Sequence, residues 1–124
     1  MKPKVLLLDD EIDHLSVFIE FLSEHYEIDV CDNTDEFFVM IKNKEYDIFL
    51  LDINMPIMNG IEVCKKIKAN SKYLYTPVLF ITAFNDIEKI EQGFNAGAVD
   101  YITKPIKLQE LEIRIASHYK ISKS

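Results

Sequence analysis

Three short runs of uninterrupted apolar residues constrain this chain more than any other feature: Val5-Leu6-Leu7-Leu8, Ile48-Phe49-Leu50-Leu51 and Val78-Leu79-Phe80-Ile81. Successive side chains of a strand point to opposite faces, so a run without alternation needs apolar cover on both faces. No apolar segment approaches the ~18 residues of a membrane span, so helices above and below a parallel sheet supply that cover. Glu27-Ile28-Asp29-Val30-Cys31 alternates and reads as an edge strand, and Val99-Asp100-Tyr101-Ile102 as a short fifth strand.

Between the runs the period becomes helical. Leu15, Phe18, Ile19 and Leu22 share one helix face. Asn33 with Glu36 has the pattern of a capping box ahead of Phe37, Phe38 and Ile41. Ile61, Cys64 and Ile67 mark a third helix after the Asn59-Gly60 turn. Ile87, Ile90 and Phe94 mark a fourth, with Asp86 as N-cap and Gly97 as its stop. Leu108, Leu111 and Ile115 mark a fifth, entered just after Pro105, and Ile121-Ser122-Lys123-Ser124 reads as a frayed end. Gly93 inside the fourth helix costs about 1 kcal/mol relative to alanine, which suits either close packing or a helix poised to shift. Strands alternating with helices predict an α/β three-layer sandwich with a parallel five-stranded sheet.

The 124 residues suit one domain, with 48% hydrophobic and 28% charged residues as in an ordinary globular chain. Fourteen basic against 21 acidic residues give a net charge of −7. That balance lacks the basic footprint of a nucleic-acid module, so no direct nucleic-acid binding by this domain is expected. Two cysteines, Cys31 and Cys64, build neither a disulfide framework nor a zinc site and suit a reduced cytoplasm. The apolar stretch after Met1-Lys2-Pro3-Lys4 is too short for a signal-peptide core, so the expected location is cytoplasmic, with no membrane partner.

In open α/β sheets, ligands bind beyond the carboxyl ends of the strands. Here strand one ends at Asp9-Asp10, strand three at Asp52 and strand four at Thr82, and strand five runs into Thr103-Lys104-Pro105. A single Asp after a strand serves equally well as a turn or a helix cap. The joint placement is harder to explain that way. If strands one and three are neighbours, Asp9, Asp10 and Asp52 converge, and such a group needs a raised pKa, a salt bridge or a cation. Oxygen ligands favour Mg²⁺ or Ca²⁺ over zinc, and positions left for water and a phosphoryl oxygen suit Mg²⁺. Lys104 adds a mobile positive charge able to meet Asp52 or a phosphate. The set is suited to placing a phosphoryl group on Asp52.

Asp9-Asp10-Glu11, Asp52-Ile53-Asn54-Met55-Pro56 with Gly60, Thr82-Ala83 and Tyr101-Ile102-Thr103-Lys104-Pro105 resemble the receiver domain of two-component response regulators. The resemblance covers residues 3–120, and implies one receiver domain over 1–124 with a flavodoxin-like (βα)5 fold of strand order 2-1-3-4-5. It implies Asp52 as phosphoacceptor and Mg²⁺ as cofactor. Asp10 would be a direct metal ligand, Asp9 a ligand mainly through water, and Asn54 a ligand through its backbone carbonyl. Thr82 and Lys104 would meet the phosphoryl group, and Tyr101 would be the aromatic switch residue. The Lys104-Pro105 peptide would be cis. Asn54 and Phe84 would flank the mouth of the site, Asn54 orienting a water and Phe84 shielding the phosphoryl group from it. The phosphoryl donor would be the phosphohistidine of a sensor histidine kinase or histidine phosphotransfer protein. Output would pass through strands four and five with helix four, to a downstream domain, a target protein or a phosphorylation-dependent dimer.

Each residue also has a plainer reading. Tyr101 can be simple core packing, Thr82 the start of a turn, and Met55 and Met58 packing or partner contacts. His14, His25 and His118 have no matching metal ligands and read as surface residues. Two other functions compete with the switch. A Mg²⁺-dependent phosphohydrolase with an aspartyl nucleophile, similar to haloacid-dehalogenase-like enzymes, needs Asp-x-Asp and a cap or larger core, whereas Asp52 is followed by Ile53-Asn54. A flavodoxin-like flavin binder needs a phosphate loop rich in Ser, Thr and Gly after strand one, where Asp9-Asp10-Glu11 instead repels phosphate. The reading adopted is the switch, a phosphoacceptor that assists its own modification rather than a metabolic enzyme. Either a single-domain regulator or a piece of a longer regulator or hybrid kinase fits this chain.

Overall fold

The computed structural model describes residues 2–55, 59–83 and 87–124, and every side chain among them but that of His14. Strands β1 (Lys4–Leu8), β2 (Glu27–Cys31), β3 (Ile48–Asp52), β4 (Val78–Thr82) and β5 (Asp100–Thr103) form one parallel sheet in the order β2-β1-β3-β4-β5. This is the flavodoxin-like order. Helices α1 (Ser16–Leu22), α2 (Thr34–Asn43), α3 (Gly60–Ala69), α4 (Ile87–Asn95) and α5 (Leu108–Ser122) connect and cover the strands, with 3₁₀ turns at Ile12–Leu15 and Ser71–Tyr73.

The unbroken apolar runs are explained by two cores, one on each face. Val5, Leu7, Ile48, Leu50, Leu79 and Ile81 pack with Phe18 and Leu22 of α1 and Leu111 and Ile115 of α5. Their neighbours Leu6, Leu8, Phe49, Leu51, Val78 and Phe80 face the other way, onto Phe37 of α2 and Ile61, Cys64 and Ile67 of α3. Each buried Leu or Ile contributes about 1.5–3 kcal/mol. Edge strand β2 carries a polar network: Lys44 Nζ donates to Glu27 and Asp29 at 2.8 and 2.9 Å, and Tyr46 Oη donates to Asp29 at 2.7 Å. Burial works against the Asp29 carboxylate, yet the hydrogen bonds from Tyr46 and Lys44 outweigh it and lower its pKa.

Caps set the helix ends. Asn33 Oδ1 accepts from Glu36 N at 2.8 Å, while the Asn33 amide donates to Glu36 Oε2 at 3.3 Å, a side-chain pair in place of the second half of a capping box. Asn59 caps α3 by accepting from Glu62 N at 3.0 Å. After α4, Ala98 N–H donates to Gly93 O and Gly97 N–H to Phe94 O, a Schellman closure with Gly97 at φ +113°.

The structure departs from the sequence expectation at three elements. β5 begins at Asp100, because the Schellman turn delivers the chain to the sheet at Val99, whose N–H bonds Val78 O while its side chain stays exposed. In α4, Ile87 and Phe94 are 79% and 43% exposed, and the residue buried is Gly93, laid against the Phe80 ring. Close packing is thus the reason for Gly93. Helix α5 continues through Ser122, beyond the expected fraying point. The Asp86 cap lies outside the described residues.

Candidate functional site

Backbone pairing continues one residue past the strand ends. Asp9 N–H donates to Cys31 O (3.2 Å), Ile53 N–H to Ile81 O (3.3 Å) and Lys104 N–H to Thr82 O (2.8 Å). The sheet itself therefore fixes the residues that carry the chemistry.

Asp9 and Asp52 are held in the same way. Oδ1 of each accepts the backbone N–H two residues on, from Glu11 at 2.8 Å and from Asn54 at 3.0 Å, as in an Asx turn. Oδ2 of each then faces Lys104, whose Nζ lies 3.1 Å from Asp9 and 3.9 Å from Asp52. The sequence left Lys104 between Asp52 and a phosphate; the structure gives it Asp9 as its nearer partner. Asp9 and Asp52 are 0% and 4% exposed, whereas Asp10 opens to solvent.

Oxygens from Asp9, Asp10 and Asp52 lie within 4.8 Å of one another. Like charges at that distance repel by about 3–4 kcal/mol per pair at an effective dielectric near 20. Burial pushes the Asp52 carboxyl up from 3.8 to about 6; the Asn54 N–H opposes the rise, Asp9 adds to it, Lys104 opposes it and Asp10 adds to it. Burial also works against the Lys104 ammonium, but the Asp9 hydrogen bond and the charges of Asp9, Asp52 and Glu11 raise its pKa. Three converging carboxylates, one of them open to solvent, fit a hard divalent cation such as Mg²⁺.

Thr82 ends β4 and is 2% exposed, and Asn54 Nδ2 donates to its Oγ1 at 3.4 Å. Asp9, Asp10, Asp52, Asn54, Thr82 and Lys104 thus come together. Tyr101 stands apart from them on β5, half-buried, its ring edge-on to Phe94 at 6.1 Å. The Lys104–Pro105 peptide is cis. Met55 packs against the α2–α3 core. Phe84, Pro56 and Met58 lie outside the described residues, and with Phe84 the expected shielding role.

Two sets of contacts were not read from the sequence. Lys89 Nζ, on α4, donates to Asn54 Oδ1 at 3.1 Å. Asp100 accepts from Arg114 Nη1 at 2.8 and 3.0 Å and meets His118 Nε2 at 3.0 Å, so His118 belongs to a half-buried polar cluster rather than a bare surface. The spacing of Arg114 and His118, one helical turn apart, was the available signal. His25 is largely exposed, 3.9 Å from Glu112.

With this geometry in view, the comparisons are specific. The model of the response regulator receiver domain matches residues 5–116, and the chain belongs to that family. It is 38% identical to the transcriptional regulatory protein CrdR of Helicobacter pylori over 118 residues, 93% of this chain and 54% of that protein. It is 32% identical to a probable cyclic di-GMP phosphodiesterase of Vibrio cholerae over 97% of this chain and 27% of that protein. A crystal structure of a two-component response regulator from Clostridium difficile superposes with a TM-score of 0.91 at 27% identity, covering 99% of this chain and 100% of that one. The chain spans about half or less of the length of the curated relatives named here. Receiver domains of response regulators are signalling switches. Among the described residues, no helix is long and apolar enough to cross a membrane.

Proposed function

We propose that this chain is a phosphoacceptor switch in which Asp52 takes a phosphoryl group from a phosphohistidine of a sensor histidine kinase or histidine phosphotransfer protein. An Asp52 carboxylate oxygen forms the new bond to phosphorus as the bond from phosphorus to the imidazole nitrogen breaks, and the nitrogen keeps the electron pair. The observation that carries this reading is the convergence of Asp52 with Asp9, Asp10 and Lys104 at the ends of neighbouring strands. Asp9, Asp10, Asp52 and the Asn54 backbone carbonyl are the groups that would hold Mg²⁺. Bound there, Mg²⁺ would neutralise charge on the phosphoryl oxygens. Lys104 is within reach to leave Asp9 for the new phosphoryl group, and the Thr82 hydroxyl to turn from Asn54 towards it. Tyr101, ring to ring with Phe94 of α4, is placed to pass that change to the surface of β4, β5 and α4.

The module is proposed to occupy residues 3–120 in the cytoplasm, and it resets when the acyl phosphate is hydrolysed. CrdR is named as a transcriptional regulator and the Vibrio cholerae relative as a phosphodiesterase, so outputs differ among relatives that share this module. Incubation with acetyl phosphate and Mg²⁺ should add one base-labile phosphoryl group per chain, and Asp52→Asn should abolish it. A substituted chain that still gains a stoichiometric, base-labile phosphoryl group would overturn the assignment.

A further inference from the structure

We propose that Lys89 is a positioning residue for the acceptor site: its ammonium holds the Asn54 side-chain amide and thereby slows loss of the phosphoryl group from Asp52. The proposal rests on the phosphoacceptor reading above.

The two ends of an asparagine amide have nearly the same shape but opposite hydrogen-bonding character. An ammonium has three donors and no acceptor. Lys89 Nζ, 3.1 Å from the amide, therefore fixes Oδ1 as the end that faces α4. Nδ2 is then the end that faces Thr82, where it donates to Oγ1 at 3.4 Å. The Asn54 backbone N–H is itself bonded to Asp52 Oδ1 at 3.0 Å, so this residue is anchored to the acceptor carboxylate. Lys89 reaches it from a separate element, 35 residues further along the chain.

The orientation matters for hydrolysis. The oxygen of an attacking water forms a bond to phosphorus, and the bond from phosphorus to the Asp52 oxygen breaks, returning its electron pair to the carboxylate. The water protons leave with the released phosphate and solvent. A group that orients this water without drawing on the lone pairs that attack phosphorus accepts a hydrogen from it, and the only acceptor on the Asn54 side chain is Oδ1. Lys89 takes one lone pair of Oδ1, holds that oxygen towards α4 and so turns the donor end inward. The pair therefore restrains hydrolysis, and releasing Oδ1 should speed it.

The test follows decay of the labelled chain after acetyl phosphate is removed, in wild type, Lys89→Met, Lys89→Arg, Asn54→Ala and the Lys89→Met/Asn54→Ala double variant. Lys89→Met should lose label about fivefold faster, the equivalent of one net hydrogen bond. Lys89→Arg, which keeps a charged donor, should restore slow decay. In the Asn54→Ala background, Lys89→Met should change nothing, because the coupling runs through Asn54. In unphosphorylated protein, the Asn54 side-chain amide resonances should shift in Lys89→Met and return in Lys89→Arg. Unchanged decay in Lys89→Met overturns the proposal, and so does equal acceleration with and without Asn54, which would mean that the charge acts directly. A wild-type chain that takes no label overturns the acceptor reading and this proposal with it, an outcome distinct from a labelled chain with an unaltered decay rate.

Discussion

Burial and its two acidic neighbours make Asp52 a carboxyl group that the native state holds more comfortably with a proton than without one. In the unfolded chain it titrates near 3.8 and in the folded chain at about 6. A folded pKa above the unfolded one means that the contribution to stability is fully present below about 3.8 and is lost as pH rises through about 6. Asn has the shape of the protonated acid and does not titrate. In metal-free protein, Asp52→Asn should therefore be more stable than wild type by on the order of 2–3 kcal/mol at pH 8, and nearly equal to it at pH 4. Urea unfolding of both proteins at the two pH values measures this, and a difference independent of pH would refute it. Asp9, Asp10, Asp52 and Thr82 were legible in the sequence because they stand at the ends of apolar runs, Lys104 because strand five runs into it, and Asn54 only through the family resemblance. The pairings were not. Which carboxylate Lys104 prefers depends on the Asx turns that aim Asp9 Oδ2 and Asp52 Oδ2, and the acceptor for Lys89 lies 35 residues away in sequence.

At the scale of elements, α4 differs from its neighbours. Its inward contact is made by Gly93, where an added Cβ would stand 2.5 Å from Phe80 Cε2. Phe80 is 2% exposed and cannot swing aside into solvent. Gly93→Ala gains about 1 kcal/mol in helix propensity, but overpacking against a fixed ring costs about 1–3 kcal/mol. The net result should be a lower melting temperature together with a changed Phe80 ring environment, read from thermal unfolding and aromatic NMR shifts. An alanine variant that melts higher than wild type would show that α4 stands off the sheet. This helix also marks where periodicity stops being informative. In β1, β3 and β4 a continuous apolar run has one meaning, cover on both faces, and the expected strands are the observed ones. In α4 the spacing of Ile87, Ile90 and Phe94 gives the helix correctly but not its buried side, because the covered position has no side chain to count. β5 slipped by one residue for a related reason: Val99 is apolar, yet the turn at Gly97 sets the strand's start.

For the whole molecule, on the phosphoacceptor reading, the acidic group should couple folding to divalent cations. Mg²⁺ that binds only the folded chain stabilises it by about 2.7 kcal/mol at a hundredfold excess over Kd, which is several degrees in melting temperature for a domain of this size. Asp10→Ala should remove most of that rise while leaving the metal-free protein as stable or more so, since one repulsive charge is gone. Thermal unfolding with Mg²⁺ and with EDTA checks both statements, and an undiminished Mg²⁺ response in Asp10→Ala would exclude it as a ligand. The contact between Lys104 and Asp9 joins residues 95 positions apart. Contacts of such separation close large loops and depend on the rest of the sheet being in place. On the phosphoacceptor reading, a half-made or clipped chain that lacks β5 also lacks Lys104 beside the carboxylates and should be a poorer acceptor. A kinase meeting a mixture of nascent and mature copies should then favour the finished ones, so that the distance in sequence between two side chains would act as a form of proofreading on the signal.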